Sequence, residues 1–315
     1  MSPTIKSGID LGGSKIELIA LDEAGCEILR RRVPTPQGDY RATLDAIQAL
    51  VEAAEAGLGV KTSVGLGTPG AISKATGLLK NSNSTCLNGQ PLLQDLEQRL
   101  GRPIRIANDA DCFALSEATD GAAAGAGVVF GVILGTGVGA GIIVHGRPLS
   151  GPNAIAGEWG HNPLPWPKDE ERPGPACYCG RRGCIETFLS GPGLARAHQL
   201  ATGRHLSAAD IVDRAGQGDP ECEQSMLVYE DRLARALAHV INLLDPDVIV
   251  LGGGLSNCRR LYANVPRLWG RYVFSDRVDT RLAPPKFGDS SGVRGAAWLW
   301  GRLRRLNPSA RPAPG

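Results

Sequence analysis

Three stretches of this sequence put glycine where apolar, strand-like runs end: Asp10-Leu11-Gly12-Gly13-Ser14-Lys15, Gly135-Thr136-Gly137 and Leu251-Gly252-Gly253-Gly254. Glycine lets backbone N–H groups approach a dense anion without an intervening side chain, so such turns suit a polyphosphate. Gly12, Gly13, Ser14, Lys15, Gly135, Thr136, Gly137, Gly253 and Gly254 are therefore candidate phosphate contacts, and ATP is the simplest ligand. Asp10, beside the first turn, is suited to hold a hydrated Mg²⁺ on those phosphates. No stretch matches G-x-x-x-x-G-K-[ST], and Gly135-Thr136-Gly137-Val138-Gly139 lies between two strand-like runs, not before a helix. Walker and Rossmann loops are excluded on context.

A second group is Cys177-Tyr178-Cys179 with Cys184, and His161 sixteen residues before Cys177. Three thiolates and one imidazole make a closed tetrahedral set, the pattern of a structural Zn²⁺ that leaves no position open for water. A third is Asn108-Asp109, where a short apolar strand gives way to a helix; Asp109 is either the helix cap or a carboxylate aimed into a cleft. The stretch Asn81-Ser82-Asn83-Ser84-Thr85-Cys86-Leu87-Asn88-Gly89 is rich in amides, whose paired donors and acceptors suit vicinal hydroxyls, with Asn83 the leading candidate.

These groups need elements to hold them. The pattern predicts strands over Gly8–Leu11, Lys15–Leu21 and Cys26–Val33, forming an antiparallel meander with a glycine tip. Helical spacing of Leu44, Ile47, Leu50 and Val51 predicts a helix from about Arg41 to a stop at Gly57. A buried strand follows at Ser63–Gly67, then a helix over Pro91–Leu100 and a short strand over Pro103–Ala107. The opening pattern then returns, with Leu134-Gly135 falling on Leu11-Gly12 at an offset of 123 residues, which points to duplication. A long amphipathic helix over about Glu221–Leu244, an apolar strand at Asp247–Val250, the third glycine turn and a helix over Gly292–Leu306 complete the chain.

The fold class expected is α/β, a duplicated two-lobed ATPase fold of the actin and hexokinase (ribonuclease H-like) kind with a ligand cleft between lobes. Residues 1–118 are expected to form a small lobe, completed by a C-terminal helix at about 290–306. Residues 119–289 are expected to form a large lobe with a zinc-binding insertion at 158–186, and 307–315 a flexible tail. A length of 315 residues favours two lobes over one core. With 34 Lys and Arg against 32 Asp and Glu, the net charge of +2 offers no field for nucleic acid or an anionic membrane, so the partner is a small molecule. No apolar run approaches the roughly 18 residues of a membrane span and no leader is evident in the sequence, so a cytoplasmic protein is expected, with its 8 cysteines as thiols or metal ligands.

Asp10-Leu11-Gly12-Gly13-Ser14-Lys15 and Gly135-Thr136-Gly137 resemble the paired phosphate loops of the actin, hexokinase and sugar-kinase superfamily, with Ser14 standing where threonine is usual. Glu158-Trp159-Gly160-His161, followed by C-x-C-G-x-x-G-C-x-E from Cys177 to Glu186, closely resembles the signature of the ROK family (repressor, open reading frame, kinase), over about Gly8 to Trp298. That resemblance implies ATP- and Mg²⁺-dependent phosphorylation of a hexose at its 6-hydroxyl, most similar to the family's fructokinases and mannokinases, in a homodimer. It implies Asp109 as the base, with Asn108, Glu158, His161, Glu186, Asn83 and the backbone of Gly70 on the sugar. One His161 nitrogen would bind zinc while the other faces the sugar. Glucokinase and N-acetylmannosamine kinase are alternatives within the family. A sugar-responsive repressor would carry a helix-turn-helix ahead of Asp10, where nine residues stand. A chaperone-like ATPase or a sugar sensor would have no use for Asp109 beside Glu158 and His161.

Overall fold

The computed structural model describes residues 5–301. Strand β1 (Lys6–Leu11) turns through Gly12 to Ser14 into β2 (Lys15–Leu21), and β3 (Glu27–Pro34) completes the meander. Helix α1 (Tyr40–Leu58) follows, capped by Asp39, whose side chain accepts the Ala42 N–H. It buries Leu44, Ile47, Leu50, Val51 and Ala54, the stripe that its spacing predicts. The helix runs through Gly57 and stops at Gly59, which takes the left-handed conformation (φ 69°) that glycine adopts at no steric cost. Next come β4 (Ser63–Thr68), the two-residue pair β5 (Ala71–Ile72) and β6 (Leu79–Lys80), α2 (Leu92–Leu100) and β7 (Arg105–Asn108).

Helix α3 (Asp109–Thr119) leads to β8 (Val128–Leu134), β9 (Val138–Val144) and β10 (Arg147–Pro148). After an irregular segment lie α4 (Glu186–Leu189), α5 (Gly191–Thr202), α6 (Ala208–Gly216) and α7 (Pro220–Leu244). Strand β11 (Val248–Gly252), α8 (Arg260–Trp269), β12 (Arg281–Ala283) and α9 (Ser291–Trp298) finish the described chain. The last helix, expected to run to Leu306, ends at Trp298, and residues 299–301 are not helical; residues 302–306 and the tail expected at 307–315 lie outside the described residues.

The two main sheets have the same order and sense, β3-β2-β1-β4-β7 and β10-β9-β8-β11-β12. In each, a hairpin is followed by two parallel neighbours. Strands β1 and β8 end at Leu11 and Leu134, and β2 and β9 begin at Lys15 and Val138, so the offset of 123 read in the sequence is kept in space. The core is duplicated, the α/β architecture of the actin and hexokinase-like folds.

Each sheet has its own core. Ile9, Leu11, Ile16 and Leu18 pack against Leu44, Ile47, Leu50 and Val51, and Val132, Leu134 and Ile249 pack with Leu233, Leu237 and Ile241. A third cluster joins the halves: Ile19 and Leu21 of the first sheet meet Val129 and Val250 of the second through α3 and α9. Backbones touch there, since a Cβ on Gly65 would stand 1.9 Å from the Ala296 carbonyl oxygen and one on Gly295 1.6 Å from that of Cys112. Val293, Ala297 and Trp298 are almost fully buried, and burying a Val-sized side chain contributes roughly 1.5–3 kcal/mol. The seam that carries α3 is thus rigid, and α3 begins with Asp109.

Candidate active site

Strand β7 ends and α3 starts at Asn108, which caps the helix: its Oδ1 accepts the Ala110 N–H at 2.9 Å while its Nδ2 donates to the Gly70 carbonyl at 3.0 Å. The sequence leaves Asp109 open between the helix cap and a carboxylate aimed into a cleft. With Asn108 in that post, Asp109 stands at the first helical position, its Oδ1 also accepting from Ala110 N at 2.8 Å. The carboxylate meets solvent through the cleft mouth, yet is set deep enough for burial to push its pKa up. The Ala110 N–H counters that shift, and the charge of Glu158 adds to it.

The cleft has a volume of about 570 Å³. The structure brings Gly70, Asn83, Asn108, Asp109, Gly135, Thr136, Gly137, Glu158, His161 and Glu186 onto its wall. It does not bring Asp10, Gly12, Gly13, Ser14, Lys15, Gly253 or Gly254 into that lining. Asp10 nevertheless lies within electrostatic reach of Asp109: burial first, then Asp109 and Glu17, raise its pKa to about 6. Gly13 borders an adjoining cavity that shares Asn83 with the cleft. Lys15, expected on phosphate, pairs its Nζ with Glu17 at 3.3 Å, because Glu17 is buried in β2 and needs cations around it. The third glycine turn packs under the second, where a Cβ on Gly253 would stand 2.5 Å from the Leu134 carbonyl oxygen. Gly191, opening α5, donates its N–H to the Gly135 carbonyl at 2.8 Å.

Glu158 and His161 sit on one turn of 3-10 helix, Glu158–His161, held against β9 by two glycines. A Cβ on Gly157 (φ 89°) would stand 2.0 Å from the Ala140 carbonyl oxygen, and one on Gly160 2.2 Å from that of Val138. Between them Trp159 is buried edge-on against Phe130, ring centroids 5.5 Å apart. Only a bare backbone fits at Gly157 and Gly160, so the turn has one seat and its two polar residues face the cleft from it.

His161 directs Nδ1 at the thiols, 3.5 Å from Cys177 Sγ, and Cys179 Sγ lies 3.6 Å from Cys184 Sγ. All four ligand atoms of His161, Cys177, Cys179 and Cys184 lie within 4.8 Å of one another. A zinc tetrahedron with bonds of about 2.3 Å has edges of about 3.8 Å, so the set fits a metal after a slight contraction. His161 Nε2, expected to face the sugar, instead meets the Tyr178 hydroxyl at 2.9 Å. Glu186 also differs from expectation: its Oε2 accepts the Val138 N–H at 3.0 Å, which leaves the other oxygen for a ligand. Asn108 likewise spends bonds from both ends of its carboxamide on the protein.

Sequence reasoning missed Tyr178 and Asp111, both on the cleft wall. Each lies inside a motif already singled out, between Cys177 and Cys179 or two residues past Asp109, and only the fold shows which way they face.

A profile of the ROK family matches residues 6–302. An N-acetyl-D-glucosamine kinase of Salmonella newport (strain SL254) is 40% identical over 296 residues, covering 93% of this chain and 98% of the relative. The chain belongs to the ROK family. Among solved structures, the ROK hexokinase of Thermus thermophilus aligns with TM-score 0.83 and 31% identity, over 93% of this chain and 96% of that one. A ROK family glucokinase from Streptomyces griseus, solved with glucose and AMPPNP, aligns with TM-score 0.74 and 28% identity over 94% and 98%. A ROK family transcriptional regulator shares the fold at 23% identity. Fructose, the sugar expected from the sequence, is not the one these kinases are named for.

Proposed function

We propose that this ROK protein is an ATP-dependent sugar kinase that phosphorylates a hexose or N-acetylhexosamine at its 6-hydroxyl. The observation that carries the reading is Asp109. It stands on the floor of one cleft whose wall holds the Gly135-Thr136-Gly137 turn as well as Glu158 and His161. A base, a phosphate-approaching backbone and hydroxyl-binding side chains in one cavity are what phosphoryl transfer to an alcohol requires.

In this reading Asp109 accepts the proton of the attacking hydroxyl as its oxygen bonds to the γ-phosphorus and the bond to the ADP oxygen breaks. Its raised pKa makes it a better base than an exposed aspartate. Asn108 fixes the start of α3, and with it the place of Asp109, by joining Gly70 to Ala110. Glu158, Asn83 and the free oxygen of Glu186 offer acceptors and donors to sugar hydroxyls, and His161 Nε2 joins them where a sugar hydroxyl takes the place of Tyr178. Backbone N–H groups of Gly13, Ser14, Thr136 and Gly137 receive the phosphates, while those of Gly12 and Gly135 close their turns onto the Lys15 and Gly137 carbonyls, with Gly253 and Gly254 behind them. Asp10 would hold Mg²⁺, which neutralises charge on the phosphates when bound. His161, Cys177, Cys179 and Cys184 would hold a structural Zn²⁺, which fixes the His161 tautomer by occupying Nδ1.

N-acetyl-D-glucosamine is the first candidate sugar, on the 40% identity over 93% of the chain to a kinase of that name. A coupled ADP-release assay over N-acetyl-D-glucosamine, glucose, mannose, N-acetylmannosamine and fructose tests it. The highest kcat/KM is expected with N-acetyl-D-glucosamine, and higher values with another sugar would reassign the substrate. No ADP release with any of the five would refute the kinase reading.

A further inference from the structure

Several buried carboxylates among the described residues are well supplied with donors. Glu17 is met by Arg30 and Arg32, Glu55 by Arg102, Glu171 by Arg232 and Arg235, and Glu230 by Arg260 and Asn264. Glu117 takes N–H groups of Ala122 and Lys286 and the hydroxyl of Ser291. Asp111 is not among them. Its Oδ1 is sealed from solvent with no hydrogen-bond partner, and no donor among the described residues meets its carboxyl group.

The position is not explained by the helix it belongs to. Asp111 is the third residue of α3, where a carboxylate commonly folds back onto the N–H of the capping residue; here it does not reach Asn108. A favourable charge at a helix start needs no burial either. Instead the residue lines the cleft that holds Asp109 and Glu158, and β9 presses on it from behind, a Cβ on Gly141 being only 2.7 Å from Asp111 Cα. Burial first, then the charges of Asp109 and Glu158, push its pKa up to about 7, and no donor pulls it back. The sealed Oδ1 is out of a ligand's reach, so a donor from a molecule in the cleft meets Oδ2, the oxygen that is neither sealed nor bonded by the protein.

We propose that Asp111 is a further substrate-binding residue, whose carboxyl group takes a hydrogen bond from a hydroxyl or amide N–H of the bound sugar and so helps set which sugar is accepted. This deepens the sugar-kinase reading and rests on it. Asp111 touches substrate and not the transferred phosphoryl group, so its loss falls on sugar affinity.

The test compares the full chain with Asp111→Ala and Asp111→Asn in steady-state assays, with glucose and N-acetyl-D-glucosamine varied separately, and with Tm measured alongside. Sugar KM is expected to rise roughly 10- to 100-fold in Asp111→Ala, with ATP KM and Tm close to wild type. Asp111→Asn keeps the shape without the charge and is expected to raise it about 10-fold, carrying the test alone should the alanine variant not fold. The ratio of the two sugars' kcat/KM is expected to change in both variants. Sugar KM within about twofold of wild type, or a lowered Tm with sugar KM unchanged, would overturn the assignment. Those results, with an active wild type, remove only Asp111; a wild type that phosphorylates no sugar removes the kinase reading and this inference together.

Discussion

Glu186 Oε2 accepts the Val138 backbone N–H at 3.0 Å, and so fastens the residue two places beyond Cys184 to the strand leaving the Gly135-Thr136-Gly137 turn. The cysteine cluster and the Gly135-Thr136-Gly137 turn are therefore held as one body. Gly137 is close enough that a Cβ there would stand 2.7 Å from the same carboxylate oxygen.

Metal removal should therefore be felt in both places. Metal analysis of the purified protein is expected to give about one zinc per chain, and Cys179→Ser to lose it, with Tm falling by roughly 5 °C or more and sugar KM rising. A metal-free protein with unchanged Tm would show that the four residues are not a structural centre.

The turn bearing Glu158 and His161 depends on bare backbone at Gly160. Gly160→Ala would set a methyl 2.2 Å from the Val138 carbonyl oxygen, which the rigid β9 cannot yield. Overpacking of this kind costs typically about 1–3 kcal/mol, and here the turn itself must shift. Sugar KM is expected to rise at least about 10-fold, with ATP KM less affected. Unchanged sugar kinetics would mean that the turn's position does not set sugar binding.

Glu171 anchors the segment before the cysteine cluster to α7. Its side chain is 2% exposed and bonds Arg235, itself 1% exposed, and Arg232. Burial alone would raise its pKa, but the hydrogen bonds from Arg235 and then Arg232 outweigh that and hold it down at about 2. A depressed carboxylate contributes stability that is complete above its ordinary pKa of 4.5 and is lost as pH falls from there toward about 2. Glu171→Gln, which leaves two buried guanidinium groups short of a counter-charge, is expected to cost about 3–5 kcal/mol near neutral pH. In urea unfolding the gap from wild type should shrink as pH drops through that window. A gap that does not change with pH would rule out the ion pairs as its source.

Much of this architecture was legible in the sequence, for physical reasons. The repeat of strand, glycine turn and strand at Leu11 and Leu134 marked the duplicated hairpins, because buried strands and their turns constrain residue types strongly. Long helices announced themselves through stripes such as Leu44, Ile47, Leu50 and Val51. Strands β10 and β12 are two and three residues long, too short to show alternation. Helix α8 carries Pro266 inside it, a residue that reads as a break. In the site, residue types named the cysteine set and the family resemblance named Asp109 and Glu158, but neither gave their partners. Asn and Asp are equally good caps, so only the fold could give that post to Asn108. Nor does any spacing show that Lys15 turns to Glu17, that His161 meets Tyr178, or that Asp111 goes without a donor.

Asp109→Asn tests the proposed base most directly, since the amide keeps the shape but cannot take the proton. With sugar binding followed by calorimetry and turnover by ADP release, kcat is expected to fall by roughly 100-fold or more while the sugar Kd stays within a few-fold of wild type. Turnover near the wild-type rate in that variant would contradict the central claim.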